Sequence, residues 1–327
     1  ADKRGRFNLG EKLVLALCES AQIESVAGGV FFNEDGSREP SRRKRDKGSL
    51  VTMRLRLTRE EMSEISDAVA TLIPPRGVVT TFNGIRLLPR EPIHTFEVTL
   101  PTVLSDEEGN LKPTSRKTKV SVYEPMPGEV ASIYELGVPV VETGDRYHVD
   151  VQQKVPVNMD RDNVPPAYLR KLRALVLEAV ANRLTKEQAE EAWVTSALTE
   201  PGIDPMAVEV TVTKRFGEKR VIFDPSDPEA SANLFAKGYS VVHGGSLPKA
   251  AWDNVRSSGA MLPAGKVAPS HKPYSDDPDA PLVDVVPREK WTHGMVMVAD
   301  LVTMLAYKVL DRSDVEVRVV TTTNGFG

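Results

Sequence analysis

The first residues whose types and spacing suit chemistry are Gly5-Arg6-Phe7-Asn8-Leu9-Gly10-Glu11-Lys12, which open directly into an apolar helical pattern. Glycines let the backbone approach a ligand closely, and free N–H groups at a helix start favour phosphate oxygens. The spacing is not that of a Walker A loop. Lys12 stands two residues beyond the second glycine, and no Ser or Thr follows it. No strand is expected ahead of the loop, as a dinucleotide fingerprint requires. A glycine pair before a helix is also compatible with a plain turn.

Other reactive residue types are present in weaker patterns. Arg38, Arg42, Arg43, Lys44, Arg45 and Lys47 stand against Glu39 and Asp46, a local charge of +4 over ten residues. Such a run can touch a nucleic-acid backbone, but no aromatic residue interleaves for base stacking, so a solvated hairpin tip is the simpler expectation. Asp224 and Asp227 could mimic a metal-binding acidic pair, whereas Asp227-Pro228-Glu229 has the form of a helix N-cap. The five histidines (His94, His148, His243, His271, His293) show no ligand spacing, so metal binding is not expected. Cys18, the single cysteine, reads as a small hydrophobe within a buried helix, and Trp291, Met295 and Met297 as core residues of another.

The whole chain bounds these readings. Its 327 residues leave room for two or three domains. A net charge of −4, from 42 basic and 46 acidic residues, argues against wholesale nucleic-acid coating. Hydrophobic residues at 40% and charged residues at 27% are ordinary globular usage. The longest apolar stretch, Met295 to Leu310, is interrupted by Asp300, Tyr307 and Lys308, so no membrane span is expected. The first residues read as neither a secretory signal nor a transit peptide, and the lone cysteine agrees with a reducing, cytoplasmic setting.

Three sections should position the reactive residues. In residues 1–57, a buried helix is expected over Glu11–Ala21, strands over Ile23–Phe32 and Ser49–Leu57, and a polar loop over Asn33–Gly48. In residues 58–198, Thr58 and Glu61 form a capping-box signature for a helix ending at Pro74-Pro75. Strands should follow at Val78–Phe82, Thr95–Leu100, Lys117–Tyr123 and His148–Val155, then a periodic helix from Pro165 to Leu184. In residues 199–327, Val208–Thr213 and Arg220–Phe223 read as a hairpin. Asp227-Pro228 opens a helix closed by Gly238 before the strand Tyr239–Val242. An exposed connection (Pro263–Pro281), a long helix (Trp291–Leu310) and a final strand (Val315–Val320) complete a mixed α/β pattern.

Set in this order, the motifs resemble the GHKL ATPase superfamily, which includes gyrase B, MutL and the ATPase component of topoisomerase VI. Gly5–Lys12 looks like that family's second glycine box, the ATP lid, with Asn8 where many members have a further Gly. Gly48-Ser49-Leu50-Val51-Thr52 looks like its last box, which puts Thr52 near the adenine. Val149–Asn158, with Arg161-Asp162-Asn163-Val164-Pro165 after it, looks like the loop of the ribosomal-protein-S5-like transducer domain. In that loop a lysine, here Lys154, reaches the γ-phosphate. A compact ammonium suits that role. Within the superfamily the chain is most similar to phage-encoded ATP-binding proteins of the rIIA type, through Gly5–Glu19, Tyr134–Val140, the Lys154 loop to Leu169 and Trp291–Val320.

The resemblance implies the C-terminal, lid half of a Bergerat α/β sandwich (1–57), an S5-like transducer (58–198) and an additional α/β domain (199–327), with ATP and Mg²⁺ as cofactors. The Glu that activates water, the Asn that holds Mg²⁺ and the Asp that reads adenine all precede the glycine loop in this family, and four residues precede Gly5 here. A fragment, a partner chain supplying that half, or a degenerate relative would each account for this. The implied function couples MgATP binding and hydrolysis to domain rearrangement, with a homodimer or partner chain. The rival readings are a non-catalytic scaffold or interaction protein, and a DNA-transaction protein contacting phosphates through Arg42–Lys47.

Overall fold

Turn chemistry divides the first apolar run. β1 (Ser20–Ser25) and β2 (Gly29–Asn33) pair antiparallel across a turn in which Gly28 adopts φ +146°, so Ile23–Phe32 is a hairpin and not one strand. The computed structural model describes residue 15 and residues 17–105, 111–158, 163–270, 285–310 and 315–320. β3 (Arg38–Ser41), inside the expected polar loop, pairs with β2, and β4 (Ser49–Arg54) pairs with β1, giving the order β3-β2-β1-β4. The helix expected over Glu11–Ala21 ends before Cys18, because Ser20 and Ala21 already pair with Asn33 and Phe32. Residues 11–14 lie outside the described residues. Cys18 is buried, but beside the helix and not within it.

α1 (Arg59–Ala70) starts where the capping box predicts. Thr58 Oγ1 accepts from the Glu61 N–H at 3.1 Å, and the Glu61 carboxylate accepts from the Thr58 N–H at 2.7 Å. β5 (Thr80–Phe82) and β6 (Ile85–Leu87) form a hairpin whose two turn residues, Asn83 and Gly84, both have positive φ.

The central sheet contains β7 (His94–Ser105), β8 (Leu111–Tyr123), β9 (Ser132–Glu135), β10 (Val138–Glu142) and β11 (His148–Val151) in the order β10-β9-β11-β8-β7. β9 and β11 run parallel and the other pairs antiparallel. β7 and β8 extend well beyond their expected limits, pairing as far as Ser105 opposite Leu111, whereas β11 stops at Val151.

Helices cover the sheet. α2 (Pro166–Val180) begins with the two prolines and buries Leu172, Val176 and Val180 as its periodicity predicts. α3 (Lys186–Ala189), α4 (Ala192–Ala197) and α5 (Pro205–Phe216) follow. The hairpin expected from Val208–Thr213 is absent because those residues lie in α5. Asp204 caps the Met206 N–H, Pro205 occupies the first turn, and Ala207, Val208, Thr211 and Val212 bury one helical face. Helical periodicity and capping outweigh β-branching there.

β12 (Arg220–Ile222), α6 (Pro228–Ala236) and β13 (Ser240–Val242) form a parallel βαβ unit. Gly238, at φ +83°, stands between its helix and second strand as expected. α7 (Lys249–Ser257) and α8 (Ala264–Val267) complete the run. One apolar cluster joins Leu100, Val120 and Val151 of the sheet to Leu177, Val194, Val212 and Trp252 of the helices.

The fold is therefore mixed α/β, with two compact units, Ala1–Ala268 and Pro269–Gly327. In the second unit, α9 (His293–Leu310) begins just after Trp291, and a single bridge, Val285 to Val320, stands where a final strand is expected. Met297 is exposed, not part of a core. Among the described residues no helix is long and apolar enough to cross a membrane.

Candidate functional site

Lys154 follows the most buried strand of the sheet. All four residues of β11 are buried, and the chain beyond it is fastened to three neighbouring strands. The Gln152 N–H donates to the Lys119 carbonyl at 3.0 Å, and Gln153 Nε2 to the Leu100 carbonyl at 3.1 Å. Thr102 Oγ1 donates to the Lys154 carbonyl at 2.7 Å, while the Val155 N–H donates to Glu135 Oε2 at 2.8 Å. Lys154 is 6% exposed and Val155 fully buried, so the solvated strand-end lysine that its position suggests is not what forms.

The other expected site residues lie elsewhere. Gly5, Arg6, Phe7, Asn8, Leu9, Gly10, Glu11 and Lys12 lie outside the described residues, as do Arg161 and Asp162. Thr52 sits on the exposed edge strand β4 opposite Gln22, and Gly48 precedes that strand at φ +73°. Thr52 lies in the β3-β2-β1-β4 sheet, whereas Lys154 follows β11 of the central sheet.

A second charged cluster was not legible from spacing. Glu129 accepts two hydrogen bonds from Arg90, at 2.7 and 2.6 Å, one from the Met126 N–H at 2.8 Å, and one from His148 at 3.0 Å. The Ser132 N–H donates to His148 Nδ1 at 3.1 Å, which leaves the proton of the neutral ring on Nε2, facing Glu129. Burial pushes the Glu129 carboxyl up, but the Arg90 and His148 hydrogen bonds, the Met126 N–H and the Arg90 charge outweigh it and hold the carboxyl down at about 2. Burial lowers His148 below its ordinary value, against the pull of Glu129. Tyr134, whose ring meets His148 edge-on at 5.0 Å, is pushed up by burial to about 12 and donates to the Thr71 carbonyl.

Glu129 also borders an open cleft of about 780 Å³, with Arg146, Tyr147, Arg173 and Trp193 among its lining residues. Several of the charges there are already paired. Arg173 grips Asp145 at 2.8 and 2.7 Å, and Glu191 accepts from Arg146 at 3.3 Å and from the Trp193 indole at 2.6 Å. A ligand charge would have to displace these pairs.

Asp224 and Asp227 serve the backbone. Asp224 accepts from Ser226 and from the Gly265 N–H, and Asp227 caps α6 through the Ala230 N–H at 3.0 Å. No group of three or more His, Cys, Asp or Glu residues suited to a metal ion occurs among the described residues. The basic run is exposed near the β3 edge, where Arg43 approaches Glu24 at 3.7 Å. Compared with protein-family models, curated proteins and solved structures, the chain has no match.

Proposed function

We propose that this chain is an ATP-binding protein of the GHKL type, in which Lys154 senses the terminal phosphate of MgATP and passes nucleotide state to the central sheet. In this reading residues 1–57 carry the lid half of a Bergerat site, with Gly5–Lys12 over the phosphates and Thr52 near the adenine. Residues 58–198 act as the transducer, and 199–327 as an additional α/β domain. Hydrolysis would use a general base from the half that this family places before the glycine loop.

The observation that supports the reading is the fastening of the Lys154 loop. Its anchors are Leu100 and Thr102 on β7, Lys119 on β8 and Glu135 on β9. A movement of Lys154 toward a phosphate must therefore strain three strands at once, which is how a local charge event becomes a change of domain orientation.

Calorimetric titration with a non-hydrolysable MgATP analogue and with MgADP tests this. The analogue should bind more tightly than ADP. Lys154→Met, which keeps the apolar stem and removes the charge, should weaken the analogue about tenfold and leave ADP unchanged, as loss of one charge-assisted hydrogen bond requires. Thermal melting without nucleotide reports whether the variant folds. No binding by the folded wild-type chain, or equal affinities that ignore Lys154→Met, overturns the assignment and leaves a non-catalytic scaffold.

A further inference from the structure

The two edges of the N-terminal sheet are built differently. At one edge, β3 reads Arg38-Glu39-Pro40-Ser41. Its proline offers no N–H to an incoming strand and its charged side chains discourage one, which are common guards of an exposed edge. At the other edge, β4 carries Leu50-Val51-Thr52-Met53, with neither proline nor charge along that stretch. All six residues of β4 are exposed, and Leu50, Val51 and Met53 are between 42 and 50% open to solvent. β4 pairs with β1 on one side only, so alternate N–H and C=O groups on its other side face outward. The edge is a template for an added strand.

The register decides which side chains such a strand needs. Val51 and Met53 stand opposite Ile23 and Ala21 of β1, which stand in turn opposite Val30 and Phe32 of β2. One face is thus apolar from strand to strand, and a strand that continues it needs an apolar residue at every second position. On the other face Leu50 and Thr52 stand across from Glu24 and Gln22.

Charge decides what must flank it. Arg42–Lys47 leads into β4, and the Arg45 N–H donates to the Ser25 carbonyl at 3.2 Å, which holds the run at the end of the sheet where Ser25 faces Ser49. Asp46 is the single acid in that run, and Arg43 approaches Glu24 at 3.7 Å. Beyond the strand, Arg54 and Arg56 share one carboxylate, Glu19. Residues 1–14, outside the described residues, carry four basic side chains against two acidic ones, so they supply no excess of counter-charge. A second copy of β4 would set basic ends against basic ends in either direction, which disfavours self-pairing. A nucleic acid would match the ends but not the uncharged apolar stretch between them.

We infer that β4 is a docking edge for an extended segment of a partner protein, apolar at alternate positions and acidic at both ends, which joins the four-stranded sheet by strand addition. This edge is independent of the Lys154 reading.

The test uses the full chain and a fluorescent synthetic peptide, Asp-Glu-Val-Thr-Val-Thr-Val-Glu-Asp, followed by anisotropy. Saturable binding is expected, with hydrogen exchange slowed at the β4 amides and unchanged at β3. Replacing the acidic ends by lysines should weaken binding at least about tenfold. Alternate amides of a strand face opposite edges, so N-methylation of either the valines or the threonines should abolish binding, while methylation of the other set leaves it within about twofold. Val51→Lys, which puts a guard on the edge at a half-exposed position, should weaken the peptide about tenfold and melt as the wild type does. If that variant melts lower, the peptide controls decide, since they leave the protein unaltered. No binding, protection at β3 in place of β4, or equal responses to the two methylated peptides overturns the docking edge. If mixed-sequence duplex DNA displaces the peptide and neither methylation matters, the basic run is a phosphate contact and the strand addition is wrong.

Discussion

Glu129 collects four hydrogen bonds while partly buried, and its carboxyl offsets the burial penalty only because Arg90 forks onto it and His148 donates to it. A carboxyl held at about 2, against an ordinary 4.5, adds stability that is complete above about pH 4.5 and is lost as the pH falls toward 2. The shift corresponds to about 3 kcal/mol. His148 acts in the same direction at higher pH. Burial, helped by the nearby Arg90 charge, makes the folded ring resist protonation against the pull of Glu129, so acidification below about pH 6.5 favours the unfolded chain. Urea unfolding between pH 7 and 3 should therefore show stability falling in two stages. Glu129→Gln should cost about 3 kcal/mol at pH 7, by leaving Arg90 without its charge partner, and should abolish the lower stage. An unchanged acid profile in that variant would sink this account. None of it follows from spacing, because Arg90, Glu129 and His148 come from three separate segments that only the sheet brings together. Lys154 was identifiable by residue type and place, but its burial was not: that depends on Thr102, Leu100 and Glu135, distant in sequence.

At the scale of elements, the turns explain both what could be read and what could not. Asn83-Gly84 between β5 and β6 is a strong two-residue hairpin signal, and both residues have positive φ. Leu136-Gly137 makes an equivalent turn between β9 and β10 with an apolar residue in the first position, at φ +54°, which conceals the signal. Gly137 is constrained twice over. Its φ is +78°, and a Cβ there would fall 2.1 Å from the Ile73 carbonyl oxygen, part of the backbone that ties the end of the α1 segment to the hairpin. Its N–H also donates to Asp150 Oδ1 at 2.8 Å. Gly137→Ala should therefore cost more than about 3 kcal/mol, whereas Gly144→Ala, at φ +64° with open space around it, should cost about 1 kcal/mol. Comparing the two urea midpoints separates backbone clash from positive-φ strain, and equal losses would refute the clash. The helix over Val208–Thr213 teaches the converse. The β-branched residues of that stretch suggested a strand, yet Asp204 and Pro205 had already marked a helix start.

At the scale of the molecule, the apolar cluster makes the helical layer part of the sheet's own stability. Trp252 on α7 is 3% exposed, donates its indole N–H to the Gly244 carbonyl at 2.7 Å, and belongs to the same cluster as Val120 and Val122 on β8. Sequence periodicity could show that α2 has an apolar face, but not that α5 and α7 share the core it covers, because that depends on how the chain returns after residue 198. A core shared in this way should unfold as one cooperative unit. Trp252→Ala removes a large buried ring and strands a carbonyl, at a cost of about 3–5 kcal/mol. The consequence should reach the site. Hydrogen exchange at the Val120 and Val122 amides should accelerate along with that of α7, because β8 loses the layer packed over it. Normal protection in β8 beside a melted α7 would show two independent cores. If the protections fall together, the strand that anchors Gln152 through Lys119, and with it the Lys154 loop, is held in place by helices far along the chain, α7 among them.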